Sequence, residues 1–239
     1  MKKLIVVAFN VVVLLVLGLT VGCGFVPTGS GDLETKEYAF SDFNQVEIRG
    51  TFEFEINQAS AYSISITADD DIIEKICVTK AGDTLKIDLE TFPRLGSIAL
   101  KTVITMPQLL GLDVSGAARG TIYGFNSDDD VDITSSGASK VKGNIIAGDV
   151  DLHVIGASII QLEGSAKDMV AEAVGASYLR LGDFTVNNAS ITLMGVSTST
   201  VNVSGRLDAD LQGVTKLTYI GEPVMGIVKK SAVSVLRKK

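Results

Sequence analysis

The chain has 239 residues, of which 46% are hydrophobic and 21% are charged, and this composition supports a buried core and excludes disordered and collagen-like proteins. Its 28 acidic and 21 basic side chains give a formal net charge of -7. Because phosphate binding needs a positive field, we expect no nucleic-acid partner. HExxH, P-loop, dinucleotide-binding and GxSxG motifs are absent from the sequence, so we assign no catalytic residues, no metal ligands and no cofactor.

The N-terminus has the arrangement of an export signal. Lys2 and Lys3 precede an apolar run at residues 4–19 that is too short to span a bilayer as a helix, and the small residue Gly22 precedes Cys23 at the expected cleavage point. This segment resembles a bacterial lipoprotein signal, whose cysteine is diacylated and becomes the N-terminus of the mature protein. An ordinary secretory signal with an incidental cysteine and an uncleaved anchor are the alternatives.

We therefore predict a signal peptide at residues 1–22 and lipid attachment at Cys23. Residues 23–32 are rich in Gly, Pro and Ser, which is typical of a flexible tether. The predicted location is the extracytoplasmic side of a bacterial membrane, at the cell surface or in the periplasm, with the membrane contacted through the lipid. Cys77 has no disulfide partner once Cys23 is acylated, and we expect it to be a small buried hydrophobe.

Residues 33–107 form a predicted N-terminal β region. Apolar residues alternate with polar ones, as at Phe52, Phe54 and Ile56, and this period of two is typical of half-buried strands. Acidic residues at 69–71 favour a short helical turn, because carboxylates stabilise the first turn of a helix.

From residue 108 to residue 222 a repeat replaces the isolated strands. Its anchor is a glycine followed by two small residues, with spacings of 21, 19, 19, 20 and 18 between successive glycines. The anchor glycines are Gly116, Gly137, Gly156, Gly175, Gly195 and Gly213. Residues two and four positions before each glycine, and four and six after it, are mostly apolar and have the parity of one face.

A strand, a bend at glycine, a second strand and a polar return describe one coil of a solenoid. We predict an all-β fold, a right-handed parallel β-helix of about six coils of ~20 residues preceded by the N-terminal strands, in which each coil pairs with its neighbours in sequence. An antiparallel sandwich is the alternative, but it does not explain a period of 20 residues rather than about 10.

Residues 104–109 and 112–117, together with the Gly-Ala-Ser copies that follow, resemble the auto-transporter adhesin head domain known as the GIN domain. Residues 40–43, 82–87 and 221–223 are also similar to this family. Where the family has Gly-Ile-Asn, this chain has Gly50, Thr51 and Phe52, so no role of that asparagine is carried over. The resemblance implies a β-helical, surface-associated adhesion module without catalytic residues.

Two outward rows of side chains are candidates for ligand binding, although the sequence assigns no individual binding residue. Three positions after the glycines stand Arg119, Lys140, Ile159, Tyr178, Thr198 and Lys216, and five positions after them stand Thr121, Lys142, Gln161, Arg180, Thr200 and Thr218. This mixed polar, modestly basic strip suits a polysaccharide or a surface protein. A solvated face that prevents edge pairing is the simpler interpretation.

On the opposite strand, three positions before the glycines, stand Asp113, Thr134, His153, Glu172, Thr192 and Asp210. Asp132 and Asp151 are expected to lie side by side, where like charges are unfavourable unless something such as Ca²⁺ offsets them. A solvated acidic edge needs no metal. His153, Glu172 and Asp151 form the best cluster for a β-helical polysaccharide lyase or hydrolase, which is the enzyme alternative.

Residues 223–239 are predicted to be a capping strand with a basic tail, and attachment of that tail to anionic lipid or wall polymer is an alternative. The sequence as a whole favours a cell-surface lipoprotein with a non-catalytic, adhesin-like binding or structural module. An envelope scaffold without an external ligand remains open.

Overall fold

The computed structural model describes residues 30–89, 100–231 and 233–239. Their backbone is nearly all β-strand and forms a β-solenoid with stacked parallel strands, which confirms the predicted fold class. Residues 1–22, Cys23 and all of the expected tether except residues 30–32 lie outside the described residues. In the described part of the chain, no helix has the length and apolar character needed to cross a membrane.

The N-terminal region provides seven strands and one short helix, which confirms the predicted helical turn. These elements are β1 Leu33–Glu37, β2 Gln45–Gly50, β3 Glu53–Gln58, β4 Ser63–Asp69, α1 Asp70–Ile73, β5 Ile76–Ala81, β6 Thr84–Leu89 and β7 Leu100–Met106.

From residue 111 onward, each coil has one strand in a sheet that we name sheet B, followed by one in a sheet that we name sheet A. The strands in sheet B are β8 Gly111–Gly116, β10 Val131–Ser135, β12 Val150–Gly156, β14 Asp168–Gly175, β16 Asn188–Gly195, β18 Arg206–Gly213 and β20 Val224–Lys230. The strands in sheet A are β9 Arg119–Asn126, β11 Lys140–Ile146, β13 Ile159–Ser165, β15 Tyr178–Val186, β17 Thr198–Val203, β19 Lys216–Ile220 and β21 Val235–Lys238.

Equivalent positions of the repeat stack on one another. Ile133 on β10 lies beside Leu112 on β8 and Leu152 on β12, and all three side chains are buried. These strands pair in parallel, so each inward position forms a continuous apolar row along the solenoid. Burial of these rows between sheets A and B forms the core.

The bend between the two strands of a coil explains the glycine anchor. Gly156 has φ of +90°, and a Cβ atom at this residue would lie 2.5 Å from the carbonyl oxygen of Gly137 in the preceding coil. Two residues later, the small side chain of Ser158 is fully buried, and its hydroxyl donates a hydrogen bond of 3.3 Å to the carbonyl of Ile155. Only a residue without a side chain permits this close stacking of coils.

The N-terminal strands belong to the same two sheets, but not in sequence order. β2 lies between β6 and β8 in sheet B, and β3 lies between β7 and β9 in sheet A. The expectation that each coil of the repeat pairs with its sequence neighbours is confirmed from β8 onward, and the sequence made no prediction of the order of the N-terminal strands. β4 and β5 pair antiparallel with β7 and β6, and β1 pairs antiparallel with β4, so these strands close one end of the solenoid.

The structure differs from the sequence predictions at two further places, Cys77 and the C-terminus. Cys77 is exposed, so its predicted burial is wrong: it lies on β5, the outermost strand of sheet B, and its neighbour Ile76 takes the inward position. At the C-terminus, the two strands β20 and β21 occupy the segment where we predicted one capping strand, and they add a coil to the solenoid.

Candidate functional site

The outward rows of sheet A lie as the sequence predicts. Lys140 stands beside Arg119 on one side and Ile159 on the other, and Lys142 stands between Thr121 and Gln161. The rows continue through Tyr178 with Thr198 and through Arg180 with Thr200. Because adjacent strands are about 4.8 Å apart, these side chains form a flat ladder along the solenoid axis.

The N-terminal strands extend these two rows, which the sequence did not reveal. Lys101 and Glu53 continue the row of Arg119, while Val103 and Glu55 continue the row of Thr121. From β7 to β21 the two rows carry seven cations and two carboxylates. The cations are Lys101, Arg119, Lys140, Lys142, Arg180, Lys216 and Arg237, and the carboxylates are Glu53 and Glu55.

Three of the cations, Arg119, Lys140 and Lys142, are neighbours. They line a shallow depression of about 230 Å³ together with Glu53 and Glu55. Lys101 pairs with Glu55 at 3.1 Å, whereas within the described residues the three neighbouring cations make no ion pair. Adjacent like charges on paired strands are unfavourable, so an anion bound at this point would stabilise the folded chain.

Tyr178 and Arg180 extend the candidate surface two coils beyond Lys140 and Lys142. The side chain of Tyr178 is 49% exposed and stands beside Ile159. An exposed aromatic ring provides a flat apolar surface, and the guanidinium of Arg180 can donate two parallel hydrogen bonds to a carboxylate. The ladder thus combines cations with one stacking platform.

Sheet B presents the opposite charge. Asp132 and Asp151 lie side by side as expected, and His153 lies between Thr134 and Glu172. From β6 to β20 the two equivalent rows of sheet B carry seven carboxylates and two cations. The carboxylates are Glu47, Asp113, Asp132, Asp151, Glu172, Asp208 and Asp210, and the cations are Lys86 and Lys229.

A larger depression, of about 620 Å³, lies on sheet B and is lined by six aspartates. Two of these carboxylates accept hydrogen bonds from backbone amides of the next coil. Asp130 accepts one of 2.8 Å from the Asp149 amide, and Asp168 accepts one of 3.1 Å from the Asn188 amide. In residues 30–89, 100–231 and 233–239, no group of three or more His, Cys, Asp and Glu side chains is placed to hold a metal ion. We therefore assign no Ca²⁺ site here.

The candidate enzyme cluster is open to solvent. His153 Nδ1 is 3.9 Å from Glu172 Oε2, and both side chains are about half exposed, at 50% and 46%. Asp151 lies two residues before His153 on the same outward face. General acid-base chemistry on a polysaccharide needs groups that converge on a bound substrate, and a pair on an open sheet provides no such enclosure.

Glu47 on β2 is a nearly buried carboxylate that sequence reasoning missed. It pairs with Lys86 on β6 at 2.8 Å and with Arg49 on its own strand. Burial acts to raise the pKa of Glu47, but the hydrogen bond from Lys86 and the charge of Arg49 hold it below its usual value. On the next strand, burial and the charge of Glu47 raise the pKa of Asp113. The pairing of β2 with β6 brings these groups together, and no local motif indicates it.

Comparison with known proteins agrees with the fold. A family model described as "Putative auto-transporter adhesin, head GIN domain" matches residues 42–223. A putative adhesin of Bacteroides fragilis NCTC 9343 has a crystal structure with 23% identity and a TM-score of 0.82, and the alignment covers 89% of this chain and 100% of that one. No curated protein matches.

Two Parabacteroides structures have the same fold at lower identity. A putative lipid binding protein of P. distasonis ATCC 8503 is 18% identical, with a TM-score of 0.71 and coverage of 89% of this chain and 99% of that one. A putative adhesin of P. merdae ATCC 43184 is 15% identical, with a TM-score of 0.66 and coverage of 89% and 98%.

Proposed function

The chain belongs to the auto-transporter adhesin head GIN domain family, whose model spans residues 42–223, and from this premise we propose that it is a non-catalytic, adhesin-like module that binds acidic polysaccharide. The proposed binding surface is the outward ladder of sheet A. Arg119, Lys140, Lys142 and Arg180 bind carboxylate or sulfate groups, and the ring of Tyr178 packs against a sugar.

The observation that supports this proposal best is the cluster of Arg119, Lys140 and Lys142 on neighbouring strands, none of which makes an ion pair within the described residues. A protein with a net charge of -7 has seven cations and two carboxylates on two rows of sheet A, and seven carboxylates and two cations on the equivalent rows of sheet B. The excess of cations on these rows of sheet A attracts a polyanion, whereas the excess of carboxylates on sheet B would repel the same polymer.

The family assignment indicates an extracellular or surface protein. Our proposal includes a lipid anchor at Cys23, because the sequence before it resembles a lipoprotein signal. Replacement of Cys23 with Ser is expected to abolish the incorporation of labelled palmitate into the protein, because the thiol that carries the lipid is lost. Equal labelling of the variant and the unmodified protein would contradict lipid attachment at Cys23.

The experiment that tests the function uses matched polymers. The chain from residue 24 onward is incubated with polygalacturonate, alginate and sulfated dextran, and in parallel with methyl-esterified polygalacturonate and neutral dextran. We expect saturable binding to the charged polymers alone, without release of shorter products. Product release abolished by Glu172→Gln would establish the enzyme alternative, and binding to none of the polymers would favour an envelope scaffold.

A further inference from the structure

A third outward row of sheet A lies next to the two rows of the ladder. Tyr123 is the outward residue that follows Thr121 on β9, about 6.6 Å further along the strand. Asn57 on β3 stands on one side of Tyr123, and Asn144 on β11 stands on the other. This row therefore holds one aromatic ring between two amide side chains.

The ring of Tyr123 is open to solvent. The residue is 65% exposed, compared with 49% for Tyr178, and in the part of the chain that the structure describes its ring makes no stacking or cation–π contact. Gly124 follows it with φ of +86° at a bulge, where the pairing of β9 with β11 shifts register. Because Gly124 has no side chain, the next position along the strand leaves the ring uncovered.

Both flanking amides are accessible. Asn144 is exposed and Asn57 is partly exposed, and among residues 30–89, 100–231 and 233–239 neither side chain has a hydrogen-bond partner. An asparagine amide both donates and accepts hydrogen bonds. Because adjacent strands are about 4.8 Å apart, a flat group over the ring of Tyr123 can be hydrogen-bonded from both sides.

The charges near this row differ from one position to the next. Glu163 stands beside Asn144, is exposed and makes no ion pair within the described residues. Lys142 lies one outward position before Asn144 on β11. A negative charge over the ring of Tyr123 would lie near the Glu163 carboxylate, whereas one at the preceding position would lie near Lys142. The surface therefore favours an uncharged group over the ring and an acidic group next to it.

We propose that Tyr123, Asn57 and Asn144 form a subsite for an uncharged, N-acetylated sugar that is linked to an acidic sugar. The acetamido group lies against the ring of Tyr123. Because its amide is trans, its N–H and C=O point in opposite directions, so one asparagine accepts a hydrogen bond from the N–H and the other donates one to the C=O. The linked acidic sugar is bound by Lys142.

This inference rests on the proposed function and names the class of polymer, in which N-acetylated and acidic sugars are joined. A polymer of acidic sugars alone would bring a carboxylate toward Glu163, and dextran has no amide for the two asparagines. A peptide also has trans amides, but peptides bind sheets mainly by adding a strand at an open edge. Both edges of β9 are already paired, with β3 and β11.

The subsite is tested first without any charged ligand. The chain from residue 24 onward contains every described strand and the whole core, and its five tyrosines are labelled in the ring for NMR, with Tyr123→Phe to identify the signal of Tyr123. We expect this signal to shift with the methyl glycoside of N-acetylglucosamine. Methyl glucoside, which lacks the amide, and N-acetylglycinamide, which lacks the sugar, should shift it less at equal concentration.

A second measurement compares two acidic oligosaccharides with the same number of carboxylates. Hyaluronan oligomers alternate glucuronate with N-acetylglucosamine, whereas oligogalacturonate has acidic sugars only. Tyr123→Ala is expected to lower the ratio of hyaluronan affinity to oligogalacturonate affinity about tenfold, because the apolar contact is lost. Asn57→Ala with Asn144→Ala should lower this ratio about tenfold through the loss of two hydrogen bonds.

Two controls accompany these variants. Gln212→Ala removes an exposed amide from sheet B and should leave both affinities unchanged. Lys140→Gln with Lys142→Gln should lower both affinities, because both oligosaccharides carry carboxylates.

The outcomes separate this inference from the proposed function. A Tyr123 signal that does not move with the N-acetylated glycoside, or that moves equally with N-acetylglycinamide, overturns the subsite, and the second result would identify a peptide as its ligand. An unchanged affinity ratio in both subsite variants also overturns it, while binding of both oligosaccharides would still support the proposed function. A shifted Tyr123 signal without binding of either oligosaccharide would support the subsite and contradict the proposed function.

Discussion

Each bend between the strands of a coil depends on the backbone of a single residue. Gly116, Gly137, Gly156 and their equivalents all have φ between +80° and +111°. At each of them a Cβ atom would lie 2.4 to 2.5 Å from a carbonyl oxygen of the coil before. Gly50 takes the same conformation and stacks under Gly116, so the row of glycines begins in the N-terminal region.

We predict that Gly156→Ala lowers the free energy of unfolding by about 2 kcal/mol or more, because a side chain disfavours this backbone conformation and collides with Gly137. Gly182→Ala is the matched control. Gly182 does not have positive φ, and its Cβ would meet only the ends of flexible side chains at 3.4 Å. Thermal unfolding monitored by circular dichroism compares the two, and equal melting temperatures would contradict this role of the bend.

Two buried serines near one bend have opposite environments. The hydroxyl of Ser197 has two carbonyl acceptors for its single hydrogen, those of Met194 at 3.0 Å and Gly175 at 3.2 Å. Ser199 is equally buried between Leu179 and Leu217, but its hydroxyl has no hydrogen-bond partner among the residues that the structure describes. A satisfied polar group and an unsatisfied one thus lie two residues apart.

Ser197→Ala is expected to cost about 1 kcal/mol, and Ser199→Ala to gain a similar amount, because only the first loses hydrogen bonds. Both variants remove one oxygen atom from a buried site, so each controls for the cavity left by the other. In a domain of this size, we expect Ser197→Ala to melt about 2–4 °C below the unmodified chain and Ser199→Ala to melt about 2–4 °C above it. A loss of stability in both variants would show that the Ser199 hydroxyl is satisfied.

At the residue scale, sequence reasoning placed the glycines and the buried serines correctly, since their spacing repeats along the chain. It failed for Cys77, although Ile76 and Val78 flank it on both sides. An apolar neighbour on each side is compatible with either face of a strand, and the orientation depends on which residue packs against the core. Which side chain of residues 76–78 faces the core depends on the pairing of β5 with β6. The three residues alone do not determine it.

Among the elements, one carboxylate adds a side-chain contact to the backbone pairing that attaches the last coil, formed by β20 and β21. Asp208 on β18 accepts a hydrogen bond of 2.5 Å from the amide of Ile227 on β20, where the pairing of these strands is irregular. Arg206 donates two further hydrogen bonds to it, of 2.7 and 2.9 Å. These hydrogen bonds, from Arg206 first and from Ile227, lower the pKa of Asp208 to about 2.

Because this pKa is lower than in the unfolded chain, ionised Asp208 stabilises the fold above about pH 4, and the contribution is lost as the pH falls toward about 2. Asp208→Asn removes this titration. We expect the melting temperatures of the variant and the unmodified chain to differ at pH 5 and to converge between about pH 4 and pH 2. A constant difference across that range would contradict the assigned interaction.

The order of the elements was only partly predictable. Repetition of the glycine anchor indicated the coils from β8 onward, because each copy carries its own bend and strand pattern. The insertion of β2 and β3 between later strands was missed, although Val46, Ile48 and Gly50 have the spacing of Leu112, Val114 and Gly116 and pair with them. The large side chain of Phe52 stands where the later copies have a small residue, and Gly50 lies far from the next anchor glycine in sequence. The acidic ladder of Asp132 and Asp151 followed directly from the repeat.

For the whole molecule, the segregation of charge is the feature with most bearing on function. Seven cations on two rows of sheet A face away from seven carboxylates on two rows of sheet B. Five of these cations were placed on the two rows by the sequence, and the fold adds Lys101 and Arg237 together with the carboxylates Glu53 and Glu55, so the net charge of the rows stays the same. Although the chain has a formal net charge of -7, the two outward rows of sheet A carry seven cations and two carboxylates.

The most direct test of the proposed function is to measure binding to polygalacturonate. The affinity of the double variant Lys140→Gln with Lys142→Gln is compared with that of the unmodified chain. We predict a loss of about tenfold or more, weaker binding of both proteins at high salt, and unchanged stability or better, since adjacent like charges are removed. Lys80→Gln with Lys167→Gln should bind like the unmodified chain. Equal affinity of the Lys140 and Lys142 variant and the unmodified chain would contradict a binding site on sheet A.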